Sequence, residues 1–191
     1  MEESISLKVV RRVLNLSDRE WCPFPLTTIF EIRPGKRLTK SDMKAGLRPF
    51  IGATEANNGI TNFVSNTNVS LDKDVLGVNY NGSVVETFYH PYECIFSDDV
   101  KRFRLKDNSG NRHIYLFLKT VILQQKSKYA YGYKFNEQRM NSQSILIPVA
   151  ADGNPDWEFM EQYSMEREKM LIDNYVKHAA THTHTHTHTH R

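Results

Sequence analysis

Arg48-Pro-Phe-Ile-Gly-Ala-Thr-Glu-Ala-Asn-Asn-Gly-Ile60 sets the pattern on which the whole chain is built. Residues 49–54 read as a short strand that runs into a polar loop. Asn58-Gly59 marks a tight turn, because both residues tolerate positive φ. Residues 60–64 then return as a second strand. The same alternation continues outward in both directions. Residues 75–80 and 83–89 flank Asn81-Gly82, a hairpin signature, and residues 93–96 and 100–105 add further short strands separated by polar turns. Towards the N-terminus, residues 26–32 are Thr-rich and β-branched and read as a strand. Pro34-Gly35 closes it in a turn with Lys36 and Arg37 at its tip. The two prolines of Trp21-Cys-Pro-Phe-Pro25 force extended backbone ahead of it. Strands of this density predict an α+β domain built on a curved or partly closed sheet.

Two helices stand out from this background. Residues 113–125 place Ile114, Phe117, Leu118, Val121 and Ile122 on one face, as a packing helix would. The second helix is expected to start at Asn154-Pro155, an N-cap followed by proline, with Asp156 and Glu158 in its first turn. Trp157, Met160, Ser164, Met170, Leu171 and Tyr175 recur along it at roughly helical intervals to about residue 177. Its surface is acidic and it follows the strand-rich body, so Trp157, Met160, Met170, Leu171 and Tyr175 are expected to form an exposed stripe for a partner. Residues 5–14 fit either a strand entering a helix or a short amphipathic helix. From residue 181 to 190 Thr and His alternate without variation, which reads as an appended metal-affinity tag. The expected organisation is a domain over 1–151, one long helix over 152–178 and a tag over 179–191.

Net charge is only +3, but it is unevenly spread. The first 149 residues carry about +6, and residues 150–178 about −4. Arg33, Lys36, Arg37, Lys40, Lys44 and Arg48 fall within sixteen residues that contain a single acid, Asp42. A basic body suits a polyanion, although a solvated surface fits the same run. Cys22 and Cys94 lie far apart and suit free thiols in a reducing compartment, so a cytoplasmic protein is expected. The longest apolar stretch, residues 114–123, is too short to span a bilayer, and no membrane partner is expected.

Several reaction classes find no support in the residues. No Gly-rich phosphate loop occurs, and no Asn/Asp-Pro-Pro-aromatic tetrad of amino-methyltransferases. Asp98-Asp99 is followed by no nuclease-type Glu-x-Lys and reads as a turn between strands. Neither Cys has a His in a recognisable pattern. No catalytic residue, cofactor or metal is therefore expected. What remains looks made for contact. Lys36, Arg37 and Lys40 form one basic group. Thr54, Glu55, Asn57 and Asn58 line the tight loop, and Asn81 tips the hairpin. Side chains of these types match base edges, and Asn pairs with adenine through two hydrogen bonds. Lys128-Tyr-Ala-Tyr-Gly-Tyr-Lys134-Phe135 interleaves aromatics and cations; Lys128, Tyr129, Tyr131 and Lys134, with Arg139 beyond, suit phosphates, sugars and bases. The same tyrosines also fit core edges, and an Asn-rich turn is also simply a turn.

The order of these segments resembles a known family. Arg48-Pro-Phe-Ile-Gly-Ala-Thr-Glu-Ala-Asn-Asn-Gly-Ile60 is similar to a segment of target recognition domains in the specificity subunits of type I restriction–modification enzymes. Pro34-Gly35-Lys36 matches that family's Gly-Lys turn. Leu76-Gly-Val-Asn-Tyr-Asn-Gly-Ser-Val84 resembles its hairpin, residues 93–100 the stretch that follows, and Arg139-Met-Asn-Ser-Gln-Ser-Ile-Leu-Ile-Pro148 its closing signature before a spacer helix. The resemblance covers roughly residues 24–175. It implies a non-catalytic subunit that reads one half-site of double-stranded DNA and directs an adenine methyltransferase, and in some systems a restriction subunit, to its target. Helices like 152–178 pair antiparallel there, so a homodimer, or pairing with a second half, is expected through this helix. Asp156-Trp-Glu-Phe-Met-Glu161 looks closest to the branch serving a combined nuclease–methyltransferase. Two departures stand out: Val85 where many members have a second glycine, and one recognition domain with one helix instead of two of each. A divergent DNA nuclease and a protein-interaction module of a phage or defence system are the competing readings.

Overall fold

The computed structural model describes residues 12–106, 110–129, 135 and 137–185. Prolines 23 and 25 keep the first strand, β1 (Glu20–Pro25), extended. Residues 26–32 do not form the single strand expected of them. Leu26–Ile29 make one helical turn, α1, and the strand β2 begins only at Phe30–Pro34. The reason is burial: one turn of helix puts Leu26 and Ile29 on the same side, 1% and 4% exposed, whereas a strand would part them. Next come β3 (Ala45–Ile51), β4 (Ile60–Val64), β5 (Val75–Asn79), β6 (Thr87–His90), β7 (Ile95–Phe96) and β8 (Val100–Leu105). Helix α2 (Arg112–Leu123), the short α3 (Glu137–Ser142), β9 (Ser144–Val149) and the long α4 (Trp157–Thr185) complete the chain.

The strands divide among three sheets, where one curved or partly closed sheet was expected. Four strands pair in the order β2-β8-β5-β6, three in the order β4-β3-β7, and β1 pairs with β9. A hairpin forms around Asn81-Gly82, with Val78 opposite Thr87 and Val75 opposite His90. Its strands stop at Asn79 and resume at Thr87, so the connection is longer than expected, and Gly82 but not Asn81 takes the left-handed backbone. β7 lies parallel to β3 through Phe50–Ile95 and Ile51–Phe96, a pairing between segments far apart in the chain.

Asp72 joins the two larger sheets. Its backbone exchanges two 3.0 Å hydrogen bonds with Cys94, just ahead of β7. Its carboxylate accepts from Arg102 at 2.9 Å and also from Arg104, both on β8. Arg102 is 5% exposed and also donates to the Pro34 carbonyl at 2.9 Å. A guanidinium this deeply buried is tolerated because a carboxylate and a carbonyl stand against it. Glycine at 77 is needed nearby: a Cβ there would lie 2.8 Å from His90 Nε2 and 3.1 Å from Phe96, inside contact distance.

Val85, the departure from glycine, sits at φ 67° with its side chain fully buried in the main core. Left-handed backbone at a β-branched residue costs about 1–3 kcal/mol. Burying a valine returns about 1.5–3 kcal/mol, which offsets that strain. Asn111 caps α2 by accepting from the amides of His113 and Ile114, and all five residues expected on the packing face are buried.

The start of α4 differs from expectation in two ways. Asp156, not Asn154, caps it: its carboxylate accepts from the Phe159 amide at 2.9 Å, while Pro155 bridges to Val149. The helix also begins against the body and not beyond it. Phe159 and Met160 are 2% and 0% exposed, Trp157 packs on the same core, and Tyr163 meets Phe117 edge to face at 5.9 Å. Met160 and Trp157 are therefore internal packing residues of this domain. Arg112 and His113 on α2 both reach Glu168, at 2.6 and 2.9 Å. Only past that point is the apolar stripe free: Leu171 is 71% and Tyr175 74% exposed, with Met170, Ile172 and Val176 also in solvent. The helical backbone continues through Thr185, past the boundary expected at 178.

Replacing Asp72 by Ala leaves Arg102 buried without its counter-charge. A loss of about 3–5 kcal/mol is expected, read from the urea midpoint, and adding Arg102→Met should restore part of it.

A rim of turns as candidate nucleic-acid interface

The basic turn at residues 35–37 is pressed onto the turn at 97–99. Gly35 N donates to Val100 O at 3.0 Å and Lys36 N to Phe96 O at 2.8 Å. A side chain at 35 would run into the Ser97 carbonyl, so only glycine permits this approach. Lys36 and Arg37 are left exposed, Arg37 lying 3.7 Å from Asp98. Asp99 carries the contact onward. Its carbonyl accepts from Tyr80 N at 3.1 Å and its carboxylate from Asn81 Nδ2 at 2.9 Å. Asn79 Nδ2 in turn donates to the Thr54 carbonyl at 3.1 Å. Four turns, 35–37, 97–99, 80–82 and 53–59, thus form one connected rim. Lys101 stands 4.9 Å from the Tyr80 ring centre. Lys126 pairs with Glu86 on the β5–β6 connection, and both Glu86 and Glu55 hold its ammonium more firmly charged.

The loop before β4 has an unusual backbone. Asn57 and Asn58 take φ 51° and 54°, and Gly59 follows at 78°. Asn tolerates the left-handed region better than other side chains, which explains the choice of residue. Asn58 is exposed, and its Nδ2 donates to the Tyr92 hydroxyl at 2.9 Å. Tyr92 in turn lies 3.2 Å from His90 Nδ1. His90 is fully buried, edge-on to both Tyr92 and Phe96, and its Nε2 has no hydrogen-bond partner. Burial, aided by the nearby Lys119 ammonium, pulls its pKa from the ordinary 6.5 to about 4.

The rim brings together Lys36, Arg37, Thr54, Glu55, Asn57, Asn58 and Asn81, although Thr54 is half-buried and contributes its carbonyl. Lys40 is exposed in a separate turn at residues 40–42. Lys128 is exposed on the short helix Lys126–Tyr129, where its ammonium donates to Gln125 at 2.6 Å. Tyr129 is not a contact residue. It is 8% exposed, meets Phe135 with the rings tilted and their centres 4.6 Å apart, and donates its hydroxyl to Gln143 at 2.5 Å. Its ring completes the core beneath α3. Arg139 is half-buried on α3, and Tyr131 and Lys134 lie outside the described residues. Sequence reasoning passed over Asp99 and Tyr92, whose hydrogen bonds hold Asn81 and Asn58; His90-Pro-Tyr92 carries no pattern that announces such a role. Asp98 and Asp99 form a turn between strands, as expected. Cys94 is a buried free thiol, raised to about 12 chiefly by burial, and Cys22 is free and half-buried. Among the described residues no three His, Cys, Asp or Glu side chains gather as a metal site. None of the described helices is long and apolar enough to cross a membrane.

A family model for the type I restriction modification DNA specificity domain matches residues 18–174. The specificity subunit S.BcgI of a type II restriction enzyme from Heyndrickxia coagulans is 62% identical over 158 residues, which are 83% of this chain and 46% of that protein. The S subunit of a type I restriction–modification system from M. genitalium superimposes with a TM-score of 0.59 at 17% identity, covering 88% of this chain and 44% of the other. The HsdS subunit of Thermoanaerobacter tengcongensis gives 0.56 at 12% identity, covering 80% and 38%. These two structures bear on the fold alone. The chain spans less than half the length of each relative.

His90 makes this region sensitive to acid. Below pH 6.5 the unfolded chain takes up a proton that the folded imidazole refuses, so stability present above that pH is lost as pH falls towards 4. The loss should reach about 3 kcal/mol. Urea midpoints measured from pH 7 to 4 should fall more steeply for the wild type than for His90→Gln.

Proposed function

Since the chain belongs to the family of type I restriction modification DNA specificity domains, we propose that it binds double-stranded DNA sequence-specifically and itself neither cuts nor methylates. The observation that carries this reading is the connected rim, where exposed cations border loops bearing Asn and Glu side chains. Cations of this kind hold phosphates and set the register, while the amides and carboxylate meet base edges. Lys36, Arg37, Lys40 and Lys128 take the phosphate role; Glu55, Asn57, Asn58 and Asn81 face the bases. The negative charge along α4 keeps the duplex on the body of the domain.

Residues up to 151, together with the first turns of α4, serve as the recognition unit. The distal half of α4 serves as the spacer. S.BcgI is by name the specificity subunit of a type II restriction enzyme, and this supports a catalytic subunit with methyltransferase activity as the partner that the chain directs, in the cytoplasm. Met170, Leu171, Ile172, Tyr175 and Val176 offer the surface through which two copies, or a second recognition half, pair and fix the gap between half-sites. The freed stripe supports this: five apolar side chains exposed along two turns are covered in most stable assemblies.

With about six phosphate contacts, affinity for duplex DNA should fall about a thousandfold between 50 and 200 mM salt. Replacing Lys36, Arg37 and Lys40 together by Ala should reduce that fall to about fortyfold. An unchanged salt dependence would remove these three cations from the interface. Supplied with Mg²⁺ and S-adenosylmethionine, the chain should leave DNA intact and unmethylated; nicking lost in Asp98→Ala would favour a nuclease instead. In sedimentation at about tens of micromolar the chain should self-associate through this exposed apolar surface. Leu171→Glu with Tyr175→Glu should run as a monomer, since neither residue supports the fold.

A further inference from the structure

We propose that Asn58 reads the major-groove edge of an adenine, and that Tyr92, held by buried His90, positions the Asn58 amide for that contact. This rests on the DNA-binding reading above and adds to it the base read and the side chains that aim the reader.

Two consecutive left-handed asparagines on an exposed loop are strained, and strain of this kind persists only where the surroundings impose it. Here they do. Gly52 N donates to Gly59 O at 2.9 Å, and Gly59 N to Ala56 O at 2.9 Å. Gly59 lies so close to Phe88 and Ile51 that a Cβ would sit 3.2 Å from each. The remaining constraint acts on the side chain itself, through the 2.9 Å bond from Asn58 Nδ2 to Tyr92.

That bond has a direction: the Asn58 amide nitrogen donates and the Tyr92 oxygen accepts. His90 is neutral because burial opposes its charge, so one ring nitrogen accepts and the other donates. With its oxygen accepting from Asn58, the Tyr92 hydroxyl has its own proton free for His90 Nδ1, 3.2 Å away, which accepts it in the tautomer protonated at Nε2. In this arrangement the amide nitrogen is the end that faces Tyr92. One N–H of Asn58 is occupied by Tyr92, which leaves Oδ1 and the second N–H. An acceptor beside a donor is the complement of adenine, whose edge offers the N6 amino group and N7. Guanine offers two acceptors there and would set its O6 against Oδ1. The space that Gly77 leaves for His90 ties this arrangement to the centre of the four-stranded sheet.

The test begins with selection of bound sequences from a pool of randomised duplexes by the full chain at fixed salt. The wild type should enrich a site that contains at least one essential A·T pair. At that pair, 7-deazaadenine, which lacks N7, should weaken wild-type binding about fivefold or more. Asn58→Gly keeps the left-handed backbone and removes the amide; it should relax preference at that pair alone, by about fivefold or more. Tyr92→Phe should relax the same pair several-fold, with the other positions and the salt dependence unchanged. A merely structural role for Tyr92 would lower affinity evenly across all positions, and that result overturns its positioning role. If Tyr92→Phe fails to fold, the 7-deazaadenine and Asn58→Gly measurements decide the base assignment. An unaltered profile in Asn58→Gly overturns this assignment and leaves the DNA-binding reading standing, whereas a wild type that enriches no sequence overturns both.

Discussion

Asp72 accepts two guanidinium groups with its carboxylate while its backbone pairs with Cys94, and this buried charge cluster ties together the sheets that carry the rim. Its two arginines belong to β8, in the middle of the four-stranded sheet; Cys94 leads into β7 of the three-stranded sheet. The two larger sheets share no strand, and this joint links them, as do the bonds from Ser97 N to Ile51 O and from Asn79 to the Thr54 carbonyl. Arg102 extends it by one more bond, to the carbonyl of Pro34, directly before the basic turn. A buried ion pair is seldom the most stabilising solution available. What it supplies here is definition: with Arg102 nearly dry, its two terminal nitrogens are paired with Asp72 and Pro34 in this arrangement, while its Nε is left without a partner among the described residues.

The rim illustrates how loops become rigid without regular structure. Each turn lends the next a carbonyl or a carboxylate, from Phe96 to Lys36, from Asp99 to Asn81 and from Thr54 to Asn79. Backbone groups that would otherwise need water are paired within the chain. The side chains left over, chiefly cations and amides, project from a surface that does not need to reorganise on contact. A partner gains affinity from such preorganisation, because less conformational freedom is lost on binding.

Helix α4 shows one element divided between two tasks. Its first three turns close the core through Phe159, Met160 and Tyr163, and the chain ahead of β1 is tied to it, with Leu14 N bonded to Glu166 at 2.9 Å. Glu168 marks the change, bound by Arg112 and His113 from α2, and those partners hold its pKa below the ordinary carboxylate range. Beyond it nothing in the described residues covers the apolar side chains.

Local chemistry in the sequence determined a good deal. Asn58-Gly59 dictated its turn because few residues accept left-handed backbone, and strands Ile60–Val64 and Val100–Leu105 follow from β-branched and apolar residues spaced between turns. The face of α2 followed from helical spacing, and the order of the motifs was enough to place the chain in its family. Tertiary structure alone decided the rest. Leu26–Ile29 became a helical turn because two side chains had to reach one core. Tyr129, read as a contact residue, turned inward because Phe135 and Gln143 complete its surroundings, and Met160 left the partner stripe because α4 starts against α2. Asp72, Asp99, Tyr92 and His90 gave no sign in the sequence of what they hold. Three of them act through partners between 18 and 34 residues away, Asp72 with Arg102 and Arg104, Asp99 with Asn81, Tyr92 with Asn58, and His90 acts through Tyr92. Spacing along a chain encodes the period of a helix or strand; it does not encode which buried charge will find which carboxylate once separate sheets are packed together.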